Sequence, residues 1–122
     1  MGIKDFESAL AAYNKALEIN PQYDFAYYGI GNVALKKGED LVEQMNALDV
    51  REWKKYDELK EQREQVYISA IEPFEKCYEY AQMPELKAAV ADYLKQLNFQ
   101  LRGVDPKYQA DYEKWEAIVS QQ

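Results

Sequence analysis

The sequence predicts an all-α domain built from antiparallel helical hairpins. Apolar and aromatic residues recur at steps of three and four along most of the chain, which is the spacing of one helix face. Among its 122 residues are only five glycines and four prolines, too few for many short strands and their turns. The length suits one hydrophobic core and not two, so we expect a single domain over residues 1–122.

The first hairpin is predicted within residues 6–38. Its first helix has an apolar face made of Phe6, Ala9, Leu10, Tyr13, Ala16 and Leu17. Pro21 lacks an amide hydrogen and disfavours a helical residue before it, so this helix should end at Ile19 or Asn20. Asp24 can cap the second helix. The apolar face of that helix begins with Tyr23, Tyr27, Ile30 and Ala34. Beside this face, Gly31 would let a neighbouring helix approach closely.

This stretch resembles the tetratricopeptide repeat (TPR) family. The signature of the second helix of a repeat is found in Ala9, Tyr13, Ala16 and Pro21, and that of a first helix follows in Tyr27, Ile30, Gly31 and Ala34. Ile30 replaces a leucine of the family pattern, and Ala34 replaces a tyrosine, which removes a ring. The resemblance implies a TPR-like superhelical stack of about five helices, with residues 3–20 as the second helix of a truncated repeat.

The second and third helices are predicted to be longer than those of a standard repeat. The second should run from Asp24 through Gly38 to Leu48, because a glycine inside a helix costs only about 1 kcal/mol. Asp49 should cap the third helix, which starts near Arg51. Its predicted apolar face comprises Trp53, Tyr56, Leu59, Val66, Tyr67, Ala70, Phe74, Cys77, Tyr78 and Ala81. Residues 24–82 therefore form one elongated repeat with a projecting hairpin, as in a subset of bacterial TPR proteins.

Pro73 should kink the third helix without breaking it, because the apolar face keeps its phase from Ala70 to Phe74. Two further helices are expected over residues 85–122, starting after Met83-Pro84 and near Asp105-Pro106. They form a degenerate capping repeat. The apolar faces of this repeat comprise Leu86, Val90, Tyr93, Leu94, Leu97 and Leu101 in one helix and Tyr108, Tyr112, Trp115 and Val119 in the other.

Composition argues against several classes of function. The net charge is −7, and nucleic-acid binding needs a basic surface. No apolar run approaches the roughly 20 residues of a membrane span.

The sequence has no histidine, which removes the commonest general base and metal ligand. Cys77 lies on the predicted apolar face, where a small core residue is expected and not a nucleophile. We therefore expect a protein that is not an enzyme, with no catalytic, metal or cofactor site.

The predicted function is protein binding. In TPR proteins the first helix of each repeat lines a concave groove, so the resemblance implies that Phe25, Tyr28, Asn32 and Lys36 face it. An aromatic, an amide and a cation suit an extended peptide. An ordinary hydrated helix face explains the same residues equally well.

Two other functions stay open at this stage. One is a structural or self-assembly module without a peptide ligand, including a homodimer through the first helix, whose repeat partner is missing. The other is a glycan surface built on exposed tyrosines and Trp115. Met1-Gly2 directly before an amphipathic helix is typical of an engineered start, so we expect a fragment of a longer protein. A natural start at Met1 is the alternative. The protein should be soluble, and cytoplasmic or exported if a leader was removed.

Overall fold

The computed structural model describes residues 3–122, which form five α-helices and no β-strand. The helices are α1 (Ile3–Ile19), α2 (Asp24–Asn46), α3 (Trp53–Tyr80), α4 (Pro84–Gln100) and α5 (Pro106–Ser120). Each packs against the next one along the chain. The predicted all-α, TPR-like stack is confirmed. Met1 and Gly2, where we expected an engineered start, lie outside the described residues.

The core lies where the second half of α3 meets α2, α4 and α5. Residues of α3 and α4 are the most deeply buried, and Trp115 of α5 closes the cluster. The core residues are Ala34, Ala70, Phe74, Cys77, Leu86, Val90, Ala91, Leu94, Leu97 and Trp115. Phe74 is fully buried, so this ring of the predicted apolar face of α3 sits at the centre of the stack.

Two glycines let α3 pack closely on α2. A methyl group added at Gly31 would overlap the ring of Phe74, and one added at Gly38 would overlap the ring of Tyr67. α2 continues through Gly38 to Asn46, as predicted, because Tyr67 fills the space that a side chain would take. α3 likewise continues through Pro73 without a break. The predicted kink at that proline stays a prediction.

Asp24 does not cap α2 as predicted. The N-cap position belongs to Tyr23, and Asp24 is the first helical residue, only 6% exposed. Its Oδ1 accepts a hydrogen bond from the Phe25 amide at 2.8 Å. Its Oδ2 accepts one from the Gln82 amide at 3.1 Å, across 58 residues of sequence. The carboxylate therefore joins the start of α2 to the end of the α3 segment, a long-range contact that local sequence rules cannot predict.

Residues 45–61 form the end of the α2–α3 hairpin, which we call the arm; none of them belongs to the core cluster or lines a cavity together with a helix other than α2 and α3. Leu59 is buried there, but Trp53 and Tyr56, predicted on the same buried face, are 60% and 43% exposed. At about 100° per residue they point roughly 120° and 60° away from Leu59 around α3. A helix with a single neighbour covers only a narrow line of side chains, so the predicted apolar face was too wide.

The turn at the end of the arm also differs in detail from the prediction. The N-cap position of α3 is Glu52, and Asp49 instead stabilises the turn before it. The Asp49 carboxylate accepts a hydrogen bond from the Arg51 amide at 2.9 Å, while the Asp49 amide donates one to Glu52 Oε2 at 3.0 Å. This reciprocal pair resembles a capping box shifted out of the helix.

The last two helices begin and end near the predicted positions. Pro84 and Pro106 occupy first turns, where the missing amide hydrogen is harmless. Asp105 caps α5 by accepting a hydrogen bond from the Lys107 amide at 2.9 Å. None of the helices within residues 3–122 has the length and apolar content needed to span a bilayer.

Candidate functional site

Tyr28 of α2 meets Tyr93 of α4 on the side of the stack where these two helices approach each other. Their ring centroids are 6.3 Å apart. Phe74 of α3 lies beneath both, at 6.3 Å from Tyr28 and 5.3 Å from Tyr93. Tyr28 is half-buried and packs against the core cluster. This cluster fixes the relative positions of the two helices.

The phenol of Tyr93 is held in its neutral form. A side-chain hydrogen bond with Tyr28 raises the pKa of Tyr93 above the usual value of 10, and burial acts in the same direction. At neutral pH the Tyr93 hydroxyl is therefore protonated, and it can donate or accept a hydrogen bond. The pair offers a partner directional polar contacts beside an apolar surface.

A cavity of about 250 Å³ lies beside Tyr93, between α2, α3 and α4. Its lining consists of Leu35, Glu39, Tyr67, Tyr93, Gln96, Leu97 and Gln100. Leu35 and Glu39 lie within about 20° of Tyr28 around α2, because they follow it by seven and eleven residues. We call the surface made by Tyr28, Asn32 and this lining the groove. It has an apolar and aromatic floor, amide groups at its rim, and the carboxylate of Glu39.

The four residues predicted to face the groove are not equally placed. Asn32 is half-buried and about 40° from Tyr28 around α2. Lys36 is exposed and about 80° away, so it lies at the rim. Phe25 is 44% exposed and packs edge-to-face on Tyr23, with centroids 6.1 Å apart, at the start of α2. The structure thus brings Tyr28 against Tyr93 and leaves Asn32 beside it on α2, and a binding role for any of the four stays a prediction.

Several groove residues were missed at the sequence level because the reasoning stopped at α2. α4 is the first helix of the next repeat in the predicted arrangement, and the same rule applied to it would have selected Tyr93, Gln96 and Gln100. Tyr93 and Leu97 were instead assigned to a buried apolar face. Leu97 is indeed only 3% exposed, but Tyr93 is half-buried. No local signal pointed to Tyr67, which comes from α3.

Two side chains considered for other roles are buried. Burial raises the pKa of the Cys77 thiol to about 11, and the nearby Asp24 carboxylate adds to the effect, so it stays protonated at neutral pH. Trp115, considered for a glycan surface, is 4% exposed and packs edge-to-face on Tyr78 at 5.0 Å. Among the described residues, no cluster of three or more metal-ligating side chains is found.

Comparison with known proteins gives one family match. Residues 4–38 match a TPR repeat family. No curated protein and no solved structure matches the chain significantly. TPR repeats generally mediate protein–protein interactions. The matched segment contains α1, the proline turn and the part of α2 that carries Tyr28 and Asn32. The match to residues 4–38 therefore supports the resemblance to the TPR family that this stretch of sequence indicates.

Proposed function

We propose that this protein is a non-catalytic interaction module that binds an extended segment of a partner protein in the groove. The observation that supports it is the meeting of α2 and α4 at Tyr28 and Tyr93, beside the 250 Å³ cavity. The cavity volume is about that of one large apolar side chain of a peptide. Such a combination of aromatic surface and a few polar groups is typical of peptide-binding sites.

The polar groups of the groove would select the backbone of the bound segment. Asn32, Gln96 and Gln100 can each donate and accept hydrogen bonds, which matches the alternating carbonyl and amide groups of an extended peptide. Gln96 is already oriented, because its Nε2 donates to Asp92 Oδ2 at 2.7 Å. A side chain held in this way loses less conformational entropy on binding. At the rim, the Lys36 amine can reach a partner carboxylate or carbonyl.

Peptides selected from a displayed library of short random sequences provide a test. Binding of a selected peptide should weaken about three- to tenfold in Tyr28→Phe and in Asn32→Ala, since each loses one hydrogen-bonding group. Both changes leave the packing of the aromatic cluster in place. Asn14→Ala, at an exposed position of α1, is the matched control. Unchanged affinity in Tyr28→Phe, Asn32→Ala, Phe25→Ala and Lys36→Ala would show that the groove is not the binding site.

A second candidate function is self-assembly through the end of α1. Ile19 is 82% exposed and Tyr23 41% exposed, beside an open cavity of about 340 Å³ lined by Ala16, Ile19, Asn20 and Tyr23. Repeat proteins bury such faces against a neighbouring unit. If this face joins two copies, Ile19→Glu should convert a dimer to a monomer in light scattering. A dimer that survives Ile19→Glu would exclude this interface.

A further inference from the structure

A second concave surface lies on the other side of the α2–α3 hairpin from the groove. It consists of two open cavities of about 340 Å³ and 560 Å³, the first lined by α1, α2 and α3 and the second by α2 and α3. Both cavities are lined by Leu41, Gln62 and Val66, so they adjoin, and we call them together the cleft. Glu39 of the groove and Leu41 of the cleft lie about 160° apart around α2. The groove therefore does not account for this surface.

The floor of the cleft is apolar. Leu41 of α2 and Val66 of α3 are each half-buried, so part of each side chain stays accessible at the bottom of the cleft. Phe6 of α1 closes one end and is only 5% exposed. The Lys37 amine lies 5.7 Å from the centroid of the Phe6 ring. A partly exposed apolar floor between helices is the surface against which a partner buries an apolar face.

The rim of the cleft is acidic. Four carboxylates line it, and the Lys37 amine is the one cation of the lining, which gives a net charge of −3. The carboxylates belong to Glu7, Asp40, Glu58 and Glu61. None of these four side chains has an ion-pair partner within the described residues. A bound cation would therefore not have to displace an existing partner.

The nearest other cations do not neutralise the rim. Lys54 and Lys55 precede Glu58 by about one turn of α3. The Lys54 amine lies 5.5 Å from the centroid of the Trp53 ring, and Trp53 is about 140° from Glu58 around the helix, so this amine is directed away from the rim. The charge is −2 with Lys55 counted and stays negative, at −1, with both lysines. The surface is therefore complementary to a cationic, amphipathic ligand.

We propose that the cleft binds a basic amphipathic helix of a partner protein. One face of that helix carries apolar side chains, which contact Leu41 and Val66, and lysine or arginine residues flank this face and meet the rim carboxylates. The larger cavity has more than twice the volume of the groove cavity, so it accommodates neighbouring side chains of one helix face, and not a single anchoring residue. This proposal does not depend on the groove.

Designed peptides provide the test, because the natural partner is not needed to measure the chemistry of the cleft. The first peptide is a helix of leucine and lysine, about 15 residues long, with all leucines on one face; this is near the minimum length for a helix in water. The second has glutamate in place of each lysine. Fluorescence anisotropy of each labelled peptide measures its binding to the full chain. We expect the lysine peptide to bind and the glutamate peptide not to bind.

Charge reversal at the rim locates the binding. The double variant Glu58→Lys, Glu61→Lys changes two exposed positions and should weaken binding of the lysine peptide about tenfold or more. The same variant should gain affinity for the glutamate peptide. The matched control is Glu113→Lys, Glu116→Lys, which makes the same change in net charge at the same spacing on exposed positions of α5. Equal weakening in both variants would show that overall charge attracts the peptide, and would overturn the proposal.

A third peptide separates a docked helix from charge attraction alone. It has alanine in place of each leucine, which keeps the lysines and the helix propensity but removes the large apolar side chains. We expect this peptide to bind the unmodified chain about tenfold more weakly or less, because it buries little apolar area on the floor. Equal affinity of the leucine and alanine peptides would overturn an amphipathic helix as the occupant.

The groove variants show which of the two surfaces is involved. Tyr28→Phe and Asn32→Ala lie on the other side of the hairpin and should leave binding of the lysine peptide unchanged. A loss of binding in these variants would assign the peptide to the groove and overturn the cleft as its site. No binding to the unmodified chain at protein concentrations up to about 1 mM would overturn the cleft alone, and leave the proposed function of the groove as it stands.

Discussion

The two halves of α3 show how differently one continuous helix can be supported. Its second half contributes Ala70, Phe74 and Cys77 to the core, all with no exposed surface. Its first half, in the arm, buries Leu59 among largely exposed, charged neighbours. The helix is unbroken across both, so helical structure extends well beyond the region where tertiary packing is dense. Local stability should therefore fall steeply from the core towards the end of the arm.

The largest effect should come from truncating a side chain in the core and its counterpart in the arm. Phe74→Ala removes a fully buried ring and should cost about 3–5 kcal/mol, a large share of the 5–15 kcal/mol typical of a domain. Leu59→Ala should cost about 2 kcal/mol, because the space it leaves lies close to solvent. Chemical denaturation measures both. Equal losses would mean that the arm is packed as tightly as the core.

An intermediate loss of stability is expected when the hydrogen bond between Asp24 and Gln82, which joins the two ends of the α2–α3 hairpin, is removed. Asp24→Ala leaves the Gln82 amide without its acceptor in a partly buried position and should cost about 1–2 kcal/mol. Asp57→Ala changes an exposed carboxylate of the arm and should stay within about 0.5 kcal/mol. Thermal unfolding of the two variants compares them directly. A stability loss in Asp57→Ala as large as that in Asp24→Ala would contradict the expected difference between the base of the hairpin and the arm.

The smallest effect should depend on pH. Partial burial raises the pKa of the Glu75 carboxyl above 4.5; Lys114 opposes the shift, while Asp111 and Glu72 add to it. A raised pKa in the folded state means that folding favours the protonated carboxyl. The stability that Glu75 contributes is therefore complete below pH 4.5 and is lost as pH rises through the folded pKa. Glu75→Gln should therefore raise the melting temperature slightly at pH 7 and leave it unchanged near pH 4.

The matched change in the arm is Glu58→Gln, at an exposed position. It should leave the melting temperature unchanged at both pH values, because exposed charges contribute little to stability. A gain in Glu75→Gln that is equally large at pH 4 would show that packing, and not charge, is responsible.

The sequence was sufficient to predict the order of the helices because its signals are local. Prolines at 21, 84 and 106 mark boundaries, and the three-four spacing of apolar residues marks faces. Gly31 was also predictable as a point of close approach, and Phe74 is the ring that uses the space. These features depend on neighbours within a few turns of helix.

The parts that could not be predicted depend on what a helix meets in space. Trp53 and Tyr56 have the same periodicity as Leu59, and only the absence of a third helix beside the arm leaves them exposed. Asp24 finds its second partner 58 residues away. For the groove, Tyr28 could be selected from α2 alone, but its partner Tyr93 required knowledge of how α4 packs.

The hydrogen bond between Asp24 and Gln82 has a consequence for how this architecture can vary in length. It holds the entry and exit of the α2–α3 hairpin together, so the chain leaves the stack and returns to it at nearly the same point. About seven residues inserted into each helix of the arm add nearly two turns, which lengthens it by roughly 10 Å and keeps side-chain directions to within about 20°. The reach of the arm can therefore be adjusted in steps of fixed size while the stack beneath it stays unchanged.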